Sequence, residues 1–127
     1  MPKHDEYAAL ISHLAILGYP VYFHLPHSFE EQGLPAIWVQ PVGPAARSPG
    51  LNHLGIDRID LDVDILAGVT SWDTGEAMRL SHRIRQHLTG LRTGGFRVLD
   101  AGRPVARPDW NPDIRRIGLT VTLAVPA

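Results

Sequence analysis

The sequence predicts an α+β fold, a mostly antiparallel sheet covered on one face by two helices, in the order α-β-β-β-α-β-β. Three observations predict it. Residues 56–66 and 114–125 alternate apolar and polar side chains, the period-2 mark of half-buried strands. Residues 6–17 and 77–91 instead space their apolar side chains by three and four, as an amphipathic helix does. Gly and Pro stand at the ends of these runs, where regular structure has to stop.

The first helix is expected over Glu6–Leu17. Tyr7, Leu10, Ile11, Leu14 and Leu17 form its stripe, and Gly18 with Pro20 ends it. Two short extended stretches follow, Val21–Leu25 and Ala36–Val42, rich in β-branched and aromatic residues and bounded by Pro20, Pro26, Pro35, Pro41 and Pro44. Trp38, inside the second, reads as a core residue. From Val42 to Gly55 the chain runs through Gly, Pro, Ala, Arg, Ser and Asn without apolar periodicity, and a loop of that length is expected to be mobile or functional. The clearest strand is Ile56–Leu66, with Ile59, Leu61, Val63 and Ile65 on one face and Asp60, Asp62 and Asp64 on the other.

After Gly68 a second helix is expected to begin on Asp73 as its cap. Glu76 stands three residues on, as in a capping box, and Trp72 with Ala77 forms a hydrophobic staple. Its stripe is Ala77, Leu80, Ile84, Leu88 and Leu91. Arg79, His82, Arg83, Arg85 and Gln86 cover the other side, and Gly90, Gly94 and Gly95 close it. A strand at Phe96–Ala101, a proline-punctuated loop at Arg103–Asp113 and a last strand at Ile114–Val125 complete the order.

At 127 residues the chain is expected to form one domain over 1–127, too short for two cores. Twelve basic against thirteen acidic side chains leave no global field toward nucleic acid or an anionic membrane. With no cysteine, disulfides, thiolate metal sites and cysteine nucleophiles are excluded. The first residues lack an apolar signal-peptide core and no apolar run is long enough to span a bilayer, so the expected location is the cytoplasm or a particle assembled there.

The Asp60-Asp62-Asp64 row is the most obvious candidate for a metal or catalytic site. Alternate strand residues stand roughly 6.6 Å apart, so the three side chains run parallel. Calcium needs its oxygens within about 2.3–2.6 Å of one point, and Ile65-Leu66 occupies the place of the EF-hand glycine turn. The row therefore reads as a solvated or interfacial acidic face. His82 and His87, five apart, lie about 140° round a helix from each other and do not form a zincin pair. Ser28, Ser48, Ser71 and Ser81 lack a nucleophile elbow, and the glycines lack Walker or dinucleotide spacing. Arg79, Arg83 and Arg85 read as a solvated face or a subunit contact before a phosphate site. Trp110, on the polar loop Arg107-Pro-Asp-Trp-Asn-Pro-Asp113, is either a lid over the core or an interface anchor. The expected active-site, cofactor and metal complement is none.

The segment Asp57-Arg58-Ile-Asp-Leu-Asp-Val-Asp-Ile-Leu-Ala-Gly68 resembles the arginine-plus-alternating-strand segment of tail terminators (tail-completion proteins) of long-tailed bacteriophages. The arginine-bearing helix after it and the ending that contains Arg115-Arg116-Ile-Gly-Leu-Thr-Val-Thr-Leu-Ala-Val125 are similar too. The resemblance follows element order over residues 5–125 and is specific at the Arg58 and the Arg115-Arg116 strands.

It implies a non-enzymatic virion protein at the head-proximal end of the tail. Six copies would form a ring on the last ring of tail-tube protein, stop polymerisation and offer a surface to the head-side connector protein. DNA would pass through the lumen without sequence-specific binding, and no membrane is involved. A ring closes through heterologous contacts between two different patches. Asp60, Asp62 and Asp64 facing Arg79, Arg83 and Arg85 of a neighbour would be such a pair. Alternatively the aspartates line the lumen and keep DNA from sticking. The paired reading is preferred, because Arg58 and Arg116 can share the acidic sheet face. The alternatives are another head–tail connector, stopper or minor tail protein, and a small host binding domain.

Overall fold

The structure, a computed structural model, describes residues 6–42, 56–93, 95–108 and 111–126. The expected loop 42–55 lies outside them apart from Val42, and so does Trp110. The elements are α1 (Glu6–Ala15), β1 (Val21–Tyr22), a 3₁₀ turn (Phe29–Gln32), β2 (Ala36–Pro41), β3 (Ile56–Gly68), α2 (Val69–Asp73), α3 (Glu76–Leu88), β4 (Arg97–Ala101), β5 (Val105–Arg107) and β6 (Ile114–Pro126). This is the α+β arrangement that the periodicities predict. One six-stranded sheet runs β1-β2-β3-β6-β4, with β5 also on β6.

The two long alternating segments become the centre of the sheet. β3 and β6 pair antiparallel along their full length, from Ile56 opposite Pro126 to Gly68 opposite Ile114. In that register Ile59, Leu61, Val63 and Ile65 share a face with Ile117, Leu119, Val121 and Leu123, and all are buried. Ile37 and Val39 extend this layer on β2, and Val98 extends it on β4. The helices close it. α1 contributes Leu10 and Leu14, and α3 contributes Ala77, Leu80, Ile84 and Leu88 from its one apolar stripe. Alternation is what makes this possible, since period 2 delivers Ile59, Leu61, Val63, Ile65 and Ala67 to the helices and Asp60, Asp62 and Asp64 to the opposite face.

Several elements differ from expectation for local reasons. β1 is two residues long, not five, and pairs parallel with β2. The carbonyl of Phe23 accepts a hydrogen bond from Trp38 Nε1 (3.2 Å) where a ladder would need it, and Pro26 follows. Trp38 itself is not in the core. It pairs with Asp64 in register and so stands on the acidic face. The helix start also differs. Trp72 and Asp73 belong to the separate short helix α2, and Glu76 is the first residue of α3. Gly75 between them takes φ +83°, a left-handed turn that glycine adopts without a Cβ clash. No capping box forms there, although Trp72 does pack against the core. The proline-punctuated segment 103–113 contains β5, which neither Pro104 nor Pro108 can extend because proline donates no ladder hydrogen bond.

Leu61 is fully buried between sheet and helices. Leu61→Ala is expected to lower unfolding free energy by about 2–5 kcal/mol, read as a shifted urea midpoint with unchanged slope.

Candidate functional site

The face of the sheet away from the helices carries the charge. Three cross-strand rows build it. Trp38, Asp64 and Gly118 form one, Gln40, Asp62 and Thr120 the next, and Asp60 with Thr122 the third. Directly beyond the first row, Arg107 on β5 lies opposite Arg116 on β6. Two cations placed opposite each other in a ladder repel. Here one carboxylate sits between them.

That carboxylate is Asp64, with no solvent exposure. Arg107 Nη1 donates to its Oδ1 at 2.8 Å. Arg116 donates to its Oδ2 through Nε (2.8 Å) and also through Nη2, a two-pronged grip. Gln40 Nε2 adds a third donor to Oδ2 at 3.0 Å. Both oxygens are thus occupied by donors of this same chain. Burial raises the Asp64 carboxyl above its ordinary value of 3.8, the hydrogen bond and charge of Arg116 and the charge of Arg107 working against it and the charge of Asp62 with it. Arg116 also lies over the Trp38 ring, its guanidinium carbon 5.3 Å from the centroid.

The other two aspartates are more open and are also satisfied within the chain. Arg107 bridges to Asp62 (3.0 and 3.2 Å), and Thr120 Oγ1 donates to the same carboxylate at 3.0 Å. Asp60 accepts from Thr122 Oγ1 at 2.7 Å, and Arg58 Nε approaches it at 3.6 Å. Three acids and three arginines therefore form one balanced cluster along the sheet face.

Gly118 makes the cluster possible. A Cβ at that position would stand 1.8 Å from Asp64 Oδ1 and 3.0 Å from Arg107 Cζ. The glycine that breaks the alternation of β6 thus marks where the buried carboxylate crosses the ladder.

The predicted site residues separate into two groups. The structure brings Asp60, Asp62, Asp64, Arg58 and Arg116 together. Arg115 turns elsewhere, Nη1 donating to the Pro112 carbonyl at 2.7 Å. Arg79, Arg83 and Arg85 are on α3, in the helix layer behind the other face. Arg79 Nη1 donates to Thr74 O (3.1 Å), Arg85 Nε donates to Ala101 O (3.0 Å), and Arg83 is exposed. Sequence reasoning missed Arg107, Gln40, Thr120, Thr122 and Gly118. The period-2 placement of Thr120 and Thr122 opposite Asp62 and Asp60 was a usable signal. Nothing local marks Arg107, because its strand is three residues long.

Among the described residues no three His, Asp or Glu side chains converge as a metal site. The carboxylates face guanidinium and hydroxyl donors instead, an arrangement that fixes strands to one another. No described helix is long and apolar enough to cross a membrane.

Two outcomes test this geometry. Gly118→Ala is expected to cost about 3 kcal/mol or more, because either the backbone or the buried ion pair must give way. Chemical denaturation measures it, with the partly exposed Thr120→Ala as a control expected to stay within about 1 kcal/mol. In a carboxyl-carbon NMR titration Asp64 is expected to take up its proton above 3.8. The native state then binds more protons than the unfolded chain just above that pH. The stability that Asp64 contributes therefore falls as pH rises through this window and levels off beyond it. A midpoint below 3.8 would show that the arginines outweigh desolvation.

No protein-family model matches the sequence, and no curated protein matches it either. Among solved structures the chain is similar to a chain of the structure described as "Virion of native gene transfer agent (GTA) particle". The identity is 21% and the TM-score 0.62, over 96% of this chain and 95% of that one. The likeness runs nearly end to end in both chains, and what it shows is a shared fold.

Proposed function

We propose that this chain is a non-enzymatic structural subunit of a phage-like virion. It acts as a tail terminator, assembling as a ring on the last ring of tail-tube protein, ending polymerisation and offering a surface for head attachment. The observation that carries the reading is the near-complete alignment, on both sides, with a chain of a gene transfer agent virion. The site chemistry supports it. The acidic row, the most obvious candidate in the sequence for a catalytic or metal site, is engaged by Arg107, Arg116, Thr120 and Thr122 of the same chain.

That occupancy alters the ring contact expected above. Asp62 and Asp64 are engaged within the subunit, so a charge reversal at Asp62 would disturb the sheet as well as any neighbour. A functional test has to leave this cluster intact.

The test is assembly with tail-tube protein encoded beside this chain. Added protein is expected to shorten tubes grown in vitro and to appear by electron microscopy as a ring at one end. Unchanged tube length, with capture of portal or adaptor protein instead, would move the chain to a connector or stopper position in the neck.

A further inference from the structure

The net charge of −1 hides a strong separation. Between residues 5 and 46 there are four acids and no Lys or Arg, whereas between residues 77 and 107 there are seven arginines and a single acid, Asp100. The topology carries the strands of these two segments to opposite edges of one sheet. α1 starts beside β1, where Tyr7 stacks on Phe23, and ends against α3, where His87 Nε2 meets the His13 carbonyl oxygen at 2.9 Å. The first builds α1, β1 and β2, and the second builds α3, β4 and β5, with β3 and β6 between them.

The basic end is exposed. Arg83, Arg92, Arg97 and Arg103 are all at the surface, and none of them meets a carboxylate among the described residues. Arg92 and Arg97 even stand opposite each other in a β-bridge, a like-charge pair that is unfavourable unless an anion comes from outside. Apolar side chains accompany them, with Leu99 44% and Val105 59% exposed. At the acidic end, Glu6 stands on the first turn of α1 and Glu30 is exposed on the 3₁₀ turn. Charge with interspersed apolar groups is the make-up of a protein contact.

We infer that the basic flank formed by α3, β4 and the β4–β5 turn docks the acidic flank formed by the start of α1, β1, the 3₁₀ turn and β2 of a second copy, head to tail. This deepens the ring reading and rests on it for closure, since a heterologous contact ends in a ring or a filament. The contact runs through side chains and not through strand addition. The outer edge of β4 is already used, because Val98 N–H bonds Leu91 O (2.9 Å) and Ala101 O accepts from Arg85.

The test is a charge swap with two surface variants. Arg83→Glu with Arg97→Glu makes both flanks acidic, and Glu6→Arg with Glu30→Arg makes both basic. Light scattering at about 50 mM salt, where surface charges are weakly screened, is expected to show each variant alone at the mass of one chain. Their equimolar mixture is expected to reach the severalfold larger mass of wild-type assemblies, which shrink at about 500 mM salt. Circular dichroism confirms that both variants fold. If each variant assembles alone as wild type does, the flanks are not the contact, while the ring reading stands. If wild type stays a single chain even on tail-tube protein, the ring reading fails and this inference fails with it. If Arg83→Glu with Arg97→Glu assembles normally but loses binding to a short DNA duplex, the basic flank is a phosphate-backbone surface and the proposal is overturned.

Discussion

Arg107 and Arg116 meet across the β5–β6 ladder because Asp64 stands between them, and much of the open sheet face is arranged around that carboxylate. Removing a carboxylate from water is costly unless its oxygens are filled and opposite charge is close. Here the requirement is met from four strands. Gln40 comes from β2, Asp64 from β3, Arg116 from β6 and Arg107 from β5. The cost of burial thereby becomes a condition on register. Slipping β6 by one residue against β3 would turn Arg116 toward the helices and put a side chain where Gly118 leaves room. The apolar layer on the other face imposes the same register independently, so both faces of the sheet specify one pairing.

Most of the architecture is legible in the sequence, because it follows from periodicity. The alternation of Ile59, Leu61, Val63 and Ile65 with aspartates, and the stripe of Ala77, Leu80, Ile84 and Leu88, each fix a face before any partner is known. What is not legible depends on contacts distant in the chain. Trp38 looks like core by composition, yet its register with Asp64 puts it on the charged face under Arg116. Asp73 and Glu76 match a capping box by spacing, but Gly75 takes the turn and gives Asp73 to a separate helix. Arg107 is 43 residues from Asp64, and no local pattern joins them.

The acidic row also shows how burial changes the meaning of a motif. As a pattern of alternating aspartates it is ambiguous between ligand set, repulsive surface and structural cluster. Strand spacing argues against the first, since parallel side chains do not converge. The arginines and threonines on neighbouring strands pair all three carboxylates within the chain. Other cations, such as Arg83 and Arg97, are exposed and meet no carboxylate among the described residues.

The division of one sheet edge between β4 and β5 has a consequence for how such a protein survives before it is used. A long, flat, unpaired strand invites any extended peptide to add to it. Here the edge of β6 is covered by two short strands in tandem, interrupted by a bulge between Val98 and Asp100 and by the Gly102-Arg103-Pro104 turn. No stretch of that edge offers a template long enough for indiscriminate strand pairing. An edge built this way resists the strand-by-strand addition from which fibrils grow.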